Sequence, residues 1–422
     1  MIFLAMLVAI LLYLDRVCIS TAAKSLSIDL NVSPAQIDFV LSAFFWTYAL
    51  GQIPAGWLGD RFGARWMLTA YVVLWSLSTG LLGLATGWVS LLILRLLCGL
   101  FEAGAYPVAA GIVRKWVPME SRGTASSIVA IGGRLGGAAA PILTVQIMLW
   151  CSANRELEHW TWRPAMILYG LLGIVFAAAF LKYYRNSPAE HPGVNQLERD
   201  RIANSPEAVQ DSHKPDPRLA KSILLSFPLW MNCLVQFASN LGWAFLVTKV
   251  TLYLDEVHKV DFKNTGYQQS LTLVAGIAGL MLGGILTDRF TRRFGLRWGR
   301  SLTMGMSRLA VAVAFILCAW TSNGWVALAC LIGIGFATDL GTAACWAWAQ
   351  DVGGRRVGTI LGWSNMWGNF GAAASPIILG WLVKGGATPI QGWSTAFYFC
   401  AAINLLATVA AMGISARRAL AE

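Results

Sequence analysis

The sequence predicts an all-α membrane protein with twelve transmembrane helices in two pseudo-symmetric six-helix halves. Three observations predict it. Of 422 residues, 57% are hydrophobic and 13% are charged, against about 25% charged in a soluble domain, so too few polar residues exist to cover a water-soluble surface. Apolar runs of about 20 residues, the length a helix needs to cross the hydrocarbon core, recur along the whole chain. The second half also echoes the first: Gly123-Thr124, Gly133-Arg134, Gly136 and Pro141 are matched at one constant offset, without a gap, by Gly358-Thr359, Gly368-Asn369, Gly371 and Pro376.

In chain order the spans run over 2–23, 37–58, 66–86, 89–113, 123–149, 163–184, 225–254, 265–287, 300–321, 324–350, 356–382 and 391–414. They lack the polar–apolar alternation of barrel strands, and backbone groups in lipid must be satisfied internally, so the spans are helices. One long polar interval, rich in Pro, Glu, Asp, Arg and Lys, separates six spans from six. The organisation is therefore an N-terminal half over 1–184, a linker over 185–224 and a C-terminal half over 225–422.

The basic residues set the orientation. With the N-terminus inside, 21 of the 32 Lys and Arg residues fall in cytoplasmic loops and the C-terminal tail. Six lie in the opposite loops: Lys24, Arg155, Arg163, Lys259, Lys263 and Lys384. The positive-inside rule then puts both termini and the 185–224 interval in the cytoplasm, and the expected location is a bacterial inner membrane. The net charge of +11 is thereby topology, and nucleic-acid binding loses its support.

Seven of the eight cysteines lie in apolar runs and only Cys151 sits near a loop, so neither a disulfide framework nor a metal cluster is expected. No cleavable signal peptide is evident, and the absence of a basic segment ahead of the first span points to a start upstream of Met1. There is no Walker loop, and His159, His191, His213 and His258 are scattered in loops. No enzyme activity, metal or cofactor is expected.

Function rests on the charges inside the spans. A charge at the bilayer centre costs about 2.5–3.5 kcal/mol on insertion scales, so it faces the protein interior or an aqueous cavity. Asp15, Arg16, Arg95, Glu102 and Arg134 lie well inside spans of the first half. Asp15 and Arg16 point about 100° apart, so one turns to the cavity and the other into the bundle. Arg95 and Glu102 share a face about 10 Å apart, too far for a direct pair, so each needs a partner on another helix. Arg16 and Arg134 are the candidate clamps for an anionic substrate, because a guanidinium grips a carboxylate with two parallel hydrogen bonds. Asp15 and Glu102 are the candidate proton sites, with Arg95 tuning them. Tyr48 with Gln52 and Asn365 with Asn369 are pairs four residues apart, each presenting one helix face to a hydroxyl-rich ligand. Asn240, Trp243 and Tyr13 complete the substrate-binding candidates.

Gly56-Trp57-Leu58-Gly59-Asp60-Arg61-Phe62-Gly63-Ala64-Arg65 resembles the signature between helices two and three of the major facilitator superfamily, and Thr287-Asp288-Arg289-Phe290 echoes it in the second half. Asp60, Arg61, Arg65, Asp288 and Arg289 are the candidate conformational latch. A narrower resemblance, to the anion:cation symporter family with its hexuronate, galactonate and glucarate transporters, rests on Tyr13-Leu14-Asp15-Arg16-Val17, Trp46-Thr47-Tyr48, Gln52, Pro54, Arg95 with Glu102, Asn365 with Asn369, and Ser187-Pro188-Ala189-Glu190-His191-Pro192. The resemblance implies the superfamily fold and proton-coupling roles for the matching Asp and Glu. The chain departs from it at Lys249 and Thr251, where relatives commonly carry Trp and Pro; Lys249 is expected to snorkel to the outer interface. Arg308 is expected to snorkel at the cytoplasmic end of helix nine, and Asp339 is an intramembrane acid without an assigned role.

The expectation is a monomeric proton-coupled symporter that imports a small organic anion, a hexuronate, aldonate or aldarate, by alternating access. Its partners are that solute, protons and the lipid bilayer. The alternatives are an organic-phosphate exchanger or an exporter of the same superfamily, and a transporter-like sensor.

Overall fold

The structure is a computed structural model that describes residues 1–153, 161–203, 223–259 and 262–415. Part of the expected linker, 204–222, and most of the C-terminal tail lie outside the described residues, as does Arg155. Among the described residues the chain is helical without a strand, and the long helices follow the twelve expected spans.

In chain order they are α1 (Ile2–Asp29), α2 (Pro34–Phe62), α3 (Ala64–Leu82), α4 (Trp88–Trp116), α5 (Arg122–Ala153) and α6 (Arg163–Tyr183). The second half supplies α7 (Phe227–Thr248, continued as Val250–His258), then α8 and α9, which share Phe262–Trp320 and divide at Gly295. Next come α10 (Gly324–Val352), α11 (Val357–Lys384) and α12 (Pro389–Gly413).

Local chemistry explains the ends. Ser33 starts α2 with a capping box: its hydroxyl accepts from Gln36 N, and the Gln36 side chain accepts from Ser33 N. Ser226, Asn323 and Thr388 cap α7, α10 and α12 in the same sense, with Pro in the first turn of α7 and α12. Gly63 and Gly295 hold φ of 83° and 78°, a region glycine enters without steric cost, so the chain turns abruptly from α2 to α3 and from α8 to α9. This is one more position at which the halves repeat. Like α7 at Lys249, two further helices are interrupted: α4 between Glu102 and Ala105, and α10 between Leu340 and Thr342.

By length and composition alone, eight stretches among the described residues qualify as membrane spans, and one of them, Val274–Trp320, passes Gly295 and covers parts of both α8 and α9. The α7 helix passes only together with its continuation. Helices α2 and α3 fall short because Thr47, Tyr48, Gln52 and Asp60, or Ser76, Ser78 and Thr79, dilute their apolar content.

The chain divides into two compact units, and the division is not a single cut in the linker. One unit holds Met1–Pro118, Ile128–Asp211 and Arg355–Gly362; the other holds Met119–Ser127, Ser212–Gly354 and Trp363–Glu422. Each unit thus takes in the first turn of a helix whose remainder belongs to the other. The first unit has an apolar core of Leu11, Leu14, Cys18, Ile19, Trp162 and Met166, among others. The second is built on Leu241, Phe245, Tyr253, Phe315, Trp393 and Phe397. The surface is apolar too: Trp320, Trp325, Ile377, Trp381 and Val409 are each more than 70% exposed. Soluble proteins rarely expose apolar side chains on this scale, and lipid supplies the solvent for them.

Candidate functional site

The first unit gathers its intramembrane charges into one cluster. Asp15 is buried at 1% exposure, and neither carboxylate oxygen has a hydrogen-bond partner. Its polar surroundings are the Trp75 indole of α3 and the Glu102 and Arg95 side chains of α4. Its neighbour Arg16 points elsewhere, as adjacent helical positions require, and its side chain keeps 12% of its surface exposed.

Arg16 donates from Nε at 3.1 Å and from Nη2 at 3.0 Å to Glu102 Oε2. Three rings surround its guanidinium, with centroids at 5.0 Å for Tyr13, 5.0 Å for Phe44 and 4.3 Å for Tyr48. Phe44 and Tyr48, one turn apart on α2, stack at 5.5 Å. Arg95 also lies over the Phe44 ring, 4.3 Å from its centroid, and donates from Nη2 to the Arg16 carbonyl oxygen at 3.0 Å. Cation–ring contacts of this kind are worth about 0.5–2 kcal/mol each. The ion pair itself is a balance of desolvation against attraction, and removing one member leaves a buried charge at a cost of about 3–5 kcal/mol.

The expectation that Arg95 and Glu102 each find partners off their own helix holds for both, through Arg16 of α1. Cys98 occupies the gap between them. Its thiol donates to Glu102 Oε1 at 3.5 Å, and Arg95 Nη1 lies 4.0 Å from Sγ. Gln52 is fully buried and Tyr48 nearly so. Arg134 on α5 is half-buried and lies toward Tyr106 of α4. Sequence reasoning missed Phe44, Cys98 and Tyr106, which in an apolar run are indistinguishable from ordinary packing residues.

The second unit carries the other expected substrate residues. Asn240 and Trp243 on α7 and Asn365 and Asn369 on α11 are all half-buried. Asn240 Nδ2 donates to its own helix at Gln236 O, and Asn369 Nδ2 to Asn365 O. Asn232 and Gln236, also unforeseen, extend the polar face of α7; Asn232 donates to Ser364 of α11 at 3.1 Å.

Of the expected latch residues, the two aspartates sit on helix N-termini. Asp60 accepts from Gly358 N, Thr359 N and Thr359 Oγ1 at 2.7–2.8 Å. Asp288 accepts from Gly123 N and Thr124 N at 2.8 Å and from Thr124 Oγ1 at 2.6 Å. The arginines expected beside them are placed elsewhere. Arg61 is exposed over Trp57 and Phe62, Arg65 binds Leu181 O and Asn186, and Arg289 is exposed. Beside Asp288 stands a buried ionic group that sequence reasoning missed. Asp351 receives Arg122 Nη1 at 2.9 Å and Arg300 Nε at 2.7 Å, and Arg300 Nη1 is 3.7 Å from Asp288.

Two further expectations are corrected or refined. Arg308 does not snorkel: it is 1% exposed and donates from Nη2 to Ser307 Oγ and to the Ala337 and Thr338 carbonyls of α10. Those carbonyls stand just before the interruption of α10, where helical acceptors lose their partners. Lys249 is half-buried at the break in α7, with its ammonium toward Gly380 of α11. Asp339 is buried against Gly276 of α8. Cys151, like the other seven cysteines, is buried and unpaired, and no group of metal-ligating side chains occurs among the described residues.

Long lipid-facing helices in repeated halves, with charges buried in the membrane spans, are the architecture of membrane transporters. The Major Facilitator Superfamily profile matches residues 5–376, and the chain belongs to that superfamily. It is 30% identical over 380 residues to a probable sulfoacetate transporter of Cupriavidus necator, covering 88% of this chain and 84% of the relative. It is likewise 30% identical over 389 residues to a probable galactarate/D-glucarate transporter of Escherichia coli, again covering 88% and 84%. These names agree with the resemblance to organic-anion carriers read from the first span. Among solved structures, the superfamily transporter FucP in its outward conformation shares the fold at a TM-score of 0.75 with 13% identity, covering 98% of each chain.

Proposed function

We propose that this transporter imports an organic anion, of the sugar-acid or short sulfonate class, together with protons across a bacterial inner membrane. The observation that carries the reading is the Arg16–Glu102 pair. The edge of the Arg16 guanidinium that suits a carboxylate is occupied by Glu102 Oε2. A substrate carboxylate competes for that edge, and protonation of Glu102 releases it, so proton and anion load together. Asp15 is the second proton site, held apart from direct pairing, and Arg95 fixes both through the α1 backbone. Arg134 serves as the further clamp, with Tyr13, Tyr48 and Gln52 beside it. Within the second unit, Asn240, Trp243, Asn365 and Asn369 are the candidate hydroxyl-binding groups.

The charge distribution favours both termini in the cytoplasm, and a monomer suffices because each candidate residue lies in one chain. The helix N-termini held by Asp60 and Asp288 act as latches that close and release during alternating access. The names of the sulfoacetate and galactarate/D-glucarate relatives support anions with acidic groups at both ends.

The test is uptake into proteoliposomes with labelled D-glucarate and sulfoacetate. Wild type is expected to accumulate one of them when the outside is acid and to lose accumulation when the proton gradient is collapsed. Glu102→Gln is expected to retain counterflow and lose proton-driven accumulation. The opposite pattern, counterflow abolished with proton-driven uptake intact, overturns the proton assignment.

A further inference from the structure

Four groups of the first unit close a ring. Arg16 donates to Glu102 Oε2; Cys98 donates to Glu102 Oε1 at 3.5 Å; Arg95 Nη1 lies 4.0 Å from the Cys98 sulfur; and Arg95 Nη2 returns to the Arg16 carbonyl at 3.0 Å. Cys98 is fully buried and stands three residues after Arg95 and four before Glu102, so one face of α4 carries all three. A third neighbour completes its surroundings: Thr79 Oγ1 of α3 at 3.7 Å. A leucine or alanine at this position would leave Glu102 Oε1 without a donor.

We infer that Cys98 is a positioning residue for the proton step, a reversible partner that follows the charge state of Glu102. This rests on the reading of Glu102 as a proton site. A thiol is both a weak donor and a weak acceptor. While Glu102 is a carboxylate, the S–H points to Oε1. When a proton arrives on Oε1, the new O–H donates to Sγ and the S–H turns to Thr79 Oγ1. The thiol proton keeps an acceptor in both states, the carboxyl proton gains one in Sγ, and no bond to sulfur is made or broken. Arg16, having lost its anionic partner, then offers its carboxylate-binding edge to the substrate.

The titratable and charged groups facing Glu102 are few. They are Asp15, Arg16 and Cys18 of α1, with Tyr13 behind Arg16, Tyr48 of α2, and Arg95 and Cys98 of α4. Tyr106 of α4 and Arg134 of α5 stand beyond the aromatic cage, and α3 contributes only the neutral Thr79. Among these groups Cys98 holds the hydrogen bond to Glu102 Oε1, and that bond can reverse without moving a charge.

Two measurements test this. In proteoliposomes loaded by a pH gradient, the outside-pH midpoint of labelled D-glucarate uptake is expected to move to higher pH in Cys98→Ala by about half a unit or more. That variant leaves the carboxylate without its donor. Cys98→Ser, which keeps a hydroxyl donor, is expected at the wild-type midpoint or on its acid side. Displacement of both variants in the same direction marks a packing effect and overturns the inference.

The second measurement needs no substrate: the S–H stretching band of Cys98 in the infrared spectrum of the purified protein, assigned by its loss in Cys98→Ala. It is expected to shift between alkaline and acid buffer in wild type and to stay fixed in Glu102→Gln. A band that ignores both pH and Glu102→Gln overturns the inference. A band that follows Glu102 in a protein that takes up no glucarate supports it while rejecting glucarate as the cargo.

Discussion

Asp60 and Asp288 do the same work in the two units: each carboxylate accepts two backbone N–H groups and one threonine hydroxyl from the first turn of a helix that continues in the other unit. Gly358 and Thr359 open α11, and Gly123 and Thr124 open α5, so the amides involved are ones that a helix cannot satisfy internally. Each aspartate is an N-cap supplied from elsewhere in the chain, with its negative charge at the positive end of the helix dipole. Asp60→Ala is expected to lower stability by about 0.5–2 kcal/mol, the range of an N-cap loss. Asp351→Ala is expected to lower it more, by about 3–5 kcal/mol, because Arg122 and Arg300 are then left buried without their anion. Thermal melting of the purified variants in one detergent ranks them; equal losses would contradict the burial of the Asp351 group.

Glycine substitutions separate close approach from mere helix weakening. A Cβ on Gly56 would meet the Gly358 carbonyl, and one on Gly358 would meet the Gly56 carbonyl, so α2 and the start of α11 touch backbone to backbone. Gly111 in α4 has open space around the same position. Gly56→Ala is expected to destabilise by about 1–3 kcal/mol or more through overpacking. Gly111→Ala is expected to be neutral or to stabilise by up to about 1 kcal/mol through helix propensity. Melting curves of the two variants should move in opposite directions, and a loss of stability in Gly111→Ala would show that α4 is packed differently there.

The fold was legible because its signals are local. Run length places the long helices and the Gly–Pro repeat pairs α5 with α11, without any long-range contact. At the site, local reasoning separated Asp15 from Arg16 by their angle on α1 and required partners off α4 for Arg95 and Glu102. It could not say that Arg16 is Glu102's partner, since 86 positions separate them. Phe44 and Cys98 were invisible because their side chains look apolar until a guanidinium or a carboxylate stands beside them. Arg122, Arg300 and Asp351 were misjudged for a different reason. They lie at the ends of apolar runs, where hydropathy reads charge as solvent-exposed, yet Arg300 is fully buried and Arg122 is 2% exposed.

Arg308 was misjudged in the same way, and its burial makes a prediction. Its Nη2 satisfies the Ser307 hydroxyl and two α10 carbonyls at the helix interruption. Hydrogen bonds from a charged donor are worth about 1.5–3 kcal/mol each to stability. Arg308→Met is expected to destabilise by at least about 2 kcal/mol. Arg308→Lys is expected to recover only part of this, because one ammonium lacks the planar fork that reaches several acceptors. A snorkelling arginine predicts no effect from either change, so wild-type melting of Arg308→Met would reinstate that placement.

The aromatic cage around Arg16 separates the two roles that its guanidinium holds, attraction to rings and grip on a carboxylate. Tyr48→Phe keeps a ring 4.3 Å from the charge and loses only the hydroxyl, so it is expected to leave substrate affinity within a few-fold of wild type. Tyr48→Leu removes the ring, and a cation–ring contact in a desolvated site is worth about 2 kcal/mol, which corresponds to an affinity loss of about thirty-fold. Arg16→Lys keeps the charge but cannot donate two hydrogen bonds from one planar edge to Glu102 or to a substrate carboxylate. It is expected to abolish accumulation even where binding survives. Half-saturation constants and maximal uptake rates of the three variants, measured with the same labelled acid, distinguish these effects. Equal behaviour of Tyr48→Phe and Tyr48→Leu would mean that the ring plays no part in holding Arg16, and the cage would then be packing alone.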